Sequence, residues 1–214
     1  MTRVVLITDT TRFRDIPERV AAIARAVPPG SIAIQIREKH LDGGPLLAFA
    51  GAIAAAAPGV PLWINDRVDV ALAAGAAGVH LPERGMPVAD ARAVAAQLGR
   101  PLLVGVSRHA PALASGADLD SGGDLASGAD LVQLGPVYAT PGKGPPLGPA
   151  VLGVRARLPA STALVAVGGI DTLERAREAI AAGADAIAII RAAWTCKDPA
   201  VTLPAFVAAA SAPS

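Results

Sequence analysis

Aromatic residues are scarce in this chain: two Trp, one Tyr and three Phe, 3% of 214 residues. Its core must therefore be built from Ala, Val, Leu and Ile, which dominate a hydrophobic fraction of 52%. Cysteine is nearly absent too. The single Cys196 excludes an internal disulfide and fits a reducing compartment. Charge of either sign is sparse, with 19 basic and 18 acidic residues for a formal net charge of +1. That balance supplies no general attraction to nucleic acid or to an anionic membrane. Long apolar runs are missing as well. The first, Val4–Ile7, stops at Thr8-Asp9, too short for the core of a signal peptide. No run is long and loop-free enough to span a bilayer, so a soluble cytoplasmic protein is expected. Nothing has the spacing of a zinc site, a dinucleotide fingerprint or a P-loop.

What the chain does have is alternation. Short apolar runs at 4–7, 32–36, 62–64, 78–81, 102–106, 131–134, 164–167 and 186–190 read as strands. Helical patterns fall between and after them at 16–26, 45–57, 68–74, 87–98, 110–114, 149–158, 173–182 and 199–210. Near-continuous apolar strands indicate a parallel sheet buried on both faces. Eight β–α units in this length predict an α/β fold, a single (β/α)8 TIM barrel spanning 1–214, with a doubly wound sheet as the rival. An internal echo favours the barrel. AAGAAGVHL from Ala73, SGADLVQLG from Ser127 and AAGADAIAI from Ala181 share a helix end, a glycine and an apolar strand, two β–α units apart. Gly75, Gly128 and Gly183 are expected to stop their helices in the left-handed conformation. The low-complexity stretch 115–130 reads as a poorly structured or extended helix-five region without a site, and the tail after Ala210 as frayed.

Two glycine-rich loops stand out. LGPVYATPGKGPPLG, 134–148, is a strand running into a Gly/Pro loop that carries Lys143. VAVGGI, 165–170, is a strand that stops at Gly168-Gly169 before a helix. Glycines let backbone N–H groups approach a ligand, and a helix start behind them favours an anion, so a phosphate is expected there. In a parallel barrel ligands sit at the C-terminal strand ends, and polar residues recur at those positions. Gln35, Arg37 and Lys39 alternate with Ile36 and Glu38, which puts the first three on one face. Further strand ends carry Asn65-Asp66, His80 to Glu83, Ser107 and His109, Thr140 and Lys143, and Arg191.

Each has a plainer reading. Arg37 and Lys39 alone fit a solvated strand end, a reading weakened by three polar groups on one face of a buried strand. Asp66 fits an N-cap of the next helix and could still offer a carboxylate oxygen to a metal. His80 fits a satisfied core histidine, His40 a surface one, and Cys196 a structural thiol. A chemical and a structural role are equally open for His109.

LITD from Leu6, QIREK from Gln35, INDRVDVALAAGAAGVHL from Ile64, GVSRH from Gly105, LGPVYATPGK from Leu134, AVGGI from Ala166 and AAGADAIAII from Ala181 together resemble the thiamine phosphate synthase and thiazole tautomerase family. The resemblance covers nearly the whole chain in order. It implies a TIM barrel that binds a thiazole phosphate at the loop after strand seven and the start of strand eight. The synthase also binds an aminopyrimidine methyl diphosphate and Mg²⁺; diphosphate leaves and the thiazole nitrogen captures the resulting pyrimidine methyl cation. By this resemblance Gln35, Arg37, Lys39, Asn65 and Lys143 contact the diphosphate, and Ser107 lies near it. Thr140 contacts the thiazole, Gly168 and Gly169 hold its phosphate, and Asp66 is a Mg²⁺ ligand. Cations and Mg²⁺ at the leaving group suit the charge that develops there.

The chain departs from the family at two places. GVHLPERG stands where the synthase has GVHLGQED, so Gly85 occupies the position of a second metal-binding aspartate, with Glu83 two residues earlier as a candidate substitute. Arg191 replaces a small residue beside the last phosphate loop. The tautomerase needs neither diphosphate nor metal, and its proton transfer falls to a histidine matching His109. The expected function is synthase-type coupling, with tautomerisation as the alternative and a non-catalytic phosphate binder as a third reading. Small phosphorylated substrates are the expected partners, and the family's frequent pairing allows a homodimer.

Overall fold

In the computed structural model, which describes residues 2–109 and 128–211, eight parallel strands close into a barrel in sequence order. They are β1 (Val4–Ile7), β2 (Ile32–Ile36), β3 (Leu62–Asn65), β4 (Gly78–Leu81), β5 (Leu103–Arg108), β6 (Leu131–Leu134), β7 (Ala163–Val167) and β8 (Ala186–Ile189). Closure is explicit in the pairing of β1 with β8, Val4 opposite Ile187. The fold is the expected (β/α)8 barrel, and the doubly wound alternative falls with that register. Helices α1 (Ile16–Ala26), α2 (Gly43–Ala56), α3 (Val68–Ala73), α4 (Val88–Gln97), α5 (Leu173–Ala181), α6 (Arg191–Thr195) and α7 (Pro199–Ala209) accompany it among the described residues. None of these is long and apolar enough to cross a membrane.

The strands are apolar on both faces because both are covered. Val4, Leu6, Ile34, Ile64, Val106 and Ile187 point outward into the large cluster beneath the helices. Val5, Ile7, Val165, Ala186 and Ala188, in the opposite phase, form a second, smaller cluster inside the barrel. With so few aromatics, one of them fills much of the lumen. A Cβ on Gly78 would lie 2.6 Å from the Trp63 ring and one on Gly105 3.2 Å from it, so glycines on β4 and β5 make room for the indole.

Two of the three repeated glycines stop helices. Gly75 and Gly183 have φ of 62° and 117°. Each follows its helix with paired bonds, Gly75 N to Leu72 O and Ala76 N to Ala71 O, then Gly183 N to Ile180 O and Ala184 N to Ala179 O, the Schellman arrangement. Gly128 has φ of 83°, while the helix expected at 110–114 lies outside the described residues. So does 115–127, while 128–130 are described. The Asp130 carboxylate accepts from Val104 N and Arg92, and the Asp185 carboxylate, at the same place in the echo, accepts from Leu164 N. These acids tie one strand start to the next at the end of the barrel remote from the strand C-termini.

Three expectations are corrected. Residues 149–158 are not an α-helix but a 3₁₀ helix, Pro149–Arg157, whose interior Gly153 and lack of an amphipathic stripe disfavour regular i to i+4 winding. Helix α6 was not expected, because five residues are too few to show a period. Asp66 is not the N-cap of α3. That position is Arg67, and Asp66 itself turns the chain at φ 68°, a left-handed conformation that Asp tolerates better than most residues.

Candidate active site

Alternation within each strand sorts the inward side chains into tiers drawn from alternate strands. Gln35 on β2, His80 on β4, Gln133 on β6 and Ala188 on β8 belong to one tier. The three polar members are 2%, 1% and 4% exposed, and Gln133 Nε2 donates to Gln35 Oε1 across the barrel. Next come Ile7, Asn65, Ser107 and Val167 from the odd strands. Arg37, Pro82, Gly135 and Ile190 then continue the even ones. Both upper tiers line a single cavity of about 290 Å³ at the C-terminal ends of the strands.

Most of the residues expected from sequence meet there. Gln35, Arg37, Lys39, Asn65, Ser107, His109, Thr140, Lys143, Gly168, Gly169 and Arg191 all line this cavity. Two do not. Asp66, one residue beyond Asn65, is exposed and outside the lining, and His40 is a half-exposed neighbour of Glu38 and Thr10. His80 is buried beneath Ser107, with Nε2 2.8 Å from Ser107 Oγ. It is only half satisfied, since Nδ1 has no partner among the described residues.

The cavity is electropositive on its β2–β6 side. No ion pair among the described residues engages Arg37, Lys39 or Lys143. The acid between two of them is turned away, because buried Glu38 accepts from Thr10 N and Oγ1 at 2.9 and 2.6 Å. Unpaired cations in a concave, partly desolvated site attract and hold an anion.

The β7–β8 side is built from backbone. Gly168 and Gly169 have φ of 98° and 69°. A Cβ on Gly168 would lie 2.7 Å from Pro136 Cα, and one on Gly169 2.7 Å from Ala139 O. The loop is pinned from behind. Arg175 donates to Gly169 O at 2.7 Å and stacks on Tyr138, whose hydroxyl donates to Glu178 at 2.9 Å. Burial, then this bond to Glu178, raises the Tyr138 pKa far above its usual value, so the phenol stays protonated. Thr172 caps α5 by accepting from Arg175 N, and the start of that helix stands behind the glycines. Arg191 reaches the same end of the cavity, paired with the Asp171 carboxylate.

Two site residues carry weak sequence signals. Gln133 is a lone amide in LVQL, in the same inward phase as Gln35 in IAIQI; a polar residue at a lumen position of an apolar strand is the clue. Asp171 reads as an ordinary residue at a helix entrance, and only the Arg191 contact gives it a place in the site. Glu83 accepts from His109 twice, through the backbone N at 3.1 Å and Nδ1 at 2.6 Å. Burial pushes the Glu83 carboxyl up, but the His109 hydrogen bonds outweigh it and hold the carboxyl below its usual range. The described residues contain no cluster of three or more His, Cys, Asp or Glu able to enclose a metal.

Residues 4–193 match the family model described as thiamine monophosphate synthase. The thiamine-phosphate synthase of Albidiferax ferrireducens is 40% identical over 184 residues, covering 84% of this chain and 78% of that protein. The thiamine-phosphate synthase of Chloroflexus aurantiacus is 38% identical over 205 residues, covering 92% and 87%. Among solved structures, thiamine phosphate pyrophosphorylase from Pyrococcus furiosus superposes with a TM-score of 0.79 at 25% identity, covering 97% of this chain and 95% of that one.

Proposed function

The chain belongs to the thiamine monophosphate synthase family, and we propose that its cavity couples an aminopyrimidine methyl diphosphate to a thiazole phosphate, releasing diphosphate. It is a transferase of thiamine biosynthesis. One observation carries the assignment of the site: a single cavity offers Arg37, Lys39 and Lys143, without an ion pair among the described residues, on one side and the Gly168-Gly169 turn on the other. Two anionic substrates require two anion-holding sides of one chamber. The diphosphate takes the cationic side, with Gln35, Asn65 and Ser107 as further polar contacts. Its departure develops negative charge, which Arg37 and Lys143 stabilise more in the transition state than in the ground state. The thiazole phosphate takes the glycine side, with Thr140 beside it. Apolar Ile7, Val167 and Ile190 keep water from the pyrimidine methyl cation until the thiazole nitrogen attacks.

Mg²⁺ fits this donor set only in its sparest form. Gly85 brings no carboxylate, and Glu83 is engaged with His109. Asp66, exposed at the β3 end, remains as one carboxylate, and Mg²⁺ commonly uses one or two of these with waters and substrate phosphates. Bound so, it would neutralise diphosphate charge. The barrel works in the cytoplasm on small phosphorylated substrates, as one domain over 1–214 that can pair as a homodimer. The test is an assay of pure protein with both substrates and Mg²⁺. Thiamine phosphate formation supports the synthase reading, and its absence at saturating substrate and Mg²⁺ overturns it.

One observation favours a second activity, thiazole tautomerisation. Glu83 fixes the His109 ring at the cavity wall, as a carboxylate orients a histidine for proton transfer. This reading predicts proton exchange on a carboxythiazole phosphate that survives a chelator and disappears in His109→Ala.

A further inference from the structure

The polar tier beneath the cavity contains a side chain that the reaction, as described so far, does not use. His80 is 1% exposed, does not line the cavity, and among the described residues its ring reaches the cavity wall through Ser107. Its ring lies against the backbone of β5: a Cβ on Gly105 would sit 2.9 Å from His80 Nδ1. Glycine at that point is what admits the imidazole.

Burial, then the nearby Arg37 charge, pushes the His80 pKa down to about 3, so the ring is neutral and carries one N–H. Two tautomers compete. With the proton on Nδ1, the ring buries a donor that has no acceptor among the described residues. Nε2 must then accept the Ser107 proton, which leaves only oxygen lone pairs facing an incoming anion. With the proton on Nε2, the orphaned atom is an acceptor, the less unfavourable kind of orphan among buried backbone groups, where an unmet N–H is rarer than an under-satisfied carbonyl. Ser107 Oγ then receives the ring N–H and keeps its own proton free. His80 is the only partner of that hydroxyl among the described residues, so the free proton turns to the open side, the cavity.

We propose that His80 is a positioning residue: its Nε2–H donates to Ser107 Oγ and thereby aims the Ser107 hydroxyl proton at the departing diphosphate. The aim at diphosphate rests on the synthase reading; the direction of the hydrogen bond does not. His80 works as a fixed dipole and never changes charge. The Ser107 hydroxyl becomes an obligate donor, added to the cations of Arg37 and Lys143.

Ring-nitrogen NMR of ¹⁵N-histidine-labelled protein tests the direction without any substrate. The chain has three histidines, and the spin system that disappears in His80→Gln is His80. Correlation of the ring protons with a protonated Nε2 and an unprotonated Nδ1 near pH 7 is expected. A protonated Nδ1 overturns the proposal whatever reaction the enzyme performs. Kinetics test the consequence. His80→Gln, which places an amide N–H near the position of Nε2–H, should keep kcat within about threefold, while His80→Leu should lower it about tenfold or more at little change in KM, and Ser107→Ala should do the same. Joining His80→Leu to Ser107→Ala should add almost nothing to Ser107→Ala alone. Losses that multiply, or a folded His80→Leu with unchanged kcat, overturn it. Should His80→Leu fail to fold, the NMR result decides.

Discussion

Replacing Gly169 with alanine adds one methyl group behind the β7 loop, and its cost divides into two parts. The first is conformational. At φ 69° an alanine sits in the left-handed region, which costs about 1–2 kcal/mol. The second is steric. The new Cβ would lie 2.7 Å from both Ala139 O and Tyr138 Cβ, atoms that cannot rotate away, and such overpacking costs about 1–3 kcal/mol. Gly30→Ala isolates the first part, because Gly30 has φ 75° with nothing within 4 Å of its would-be Cβ. The extra destabilisation of Gly169→Ala over Gly30→Ala is therefore the steric part. At about 2–4 °C per kcal/mol for a chain of this size it should lower Tm by a further 2–12 °C or so. Function should separate the two more sharply. Relief of the clash has to move the loop to which we assign the thiazole phosphate, so KM for that substrate should rise about tenfold or more in Gly169→Ala, since misplacement near 1 Å is costly. Gly30→Ala should leave KM unchanged. Urea or thermal unfolding with initial-rate kinetics reads both. Matching stability and matching KM in the two variants would refute the assignment of this turn to the phosphate.

Arg37→Ala and Lys143→Ala should each act mainly on kcat, raising the barrier by about 2–4 kcal/mol by analogy with lost oxyanion donors; unchanged turnover in both, measured by thiamine phosphate formation, sinks their role at the diphosphate. A synthase reaction should need high Mg²⁺, but Gly85→Asp alone should not lower the requirement much, because its Cβ would meet Pro82 Cδ at 2.8 Å. Gly85→Asp combined with Pro82→Gly should lower it, and a Mg²⁺ titration of both variants checks this. The Glu83 carboxyl has a folded pKa below its ordinary 4.5, so its stabilising contact with His109 is present above that value and lost as pH falls through the folded pKa. The stability gap between wild type and Glu83→Gln should therefore be open at pH 6 and closed in acid below the folded pKa, and a gap that persists there contradicts the hydrogen-bonded carboxylate.

Much of this molecule is written in short stretches. The β–α alternation, the helix-stopping Gly75 and Gly183, and the shared phase of Gln35, Arg37 and Lys39 depend on backbone geometry over a few residues, and all are legible without a structure. Residues 149–158 show the limit of that reasoning, since apolar content there suggested a helix while the backbone tightened into a 3₁₀ form. Candidate site residues were legible for a related reason. A barrel gathers its strand ends, so a polar residue that breaks an apolar strand at its C-terminal edge has only one place to go.

Which of those residues touch was decided by closure. The stagger of eight strands sets the tier on which each inward side chain falls, and no single strand encodes it. Closure brings Gln133 across the barrel to Gln35, seats His80 under Ser107 and sets Glu83 against His109. It also leaves Asp66 outside the cavity lining while its neighbour Asn65 is within it. Sequence determined that the strand ends would be polar and the loops glycine-rich. The tertiary structure determined which cations find an ion-pair partner among the described residues, because a charge is neutralised by neighbours that lie far away along the chain.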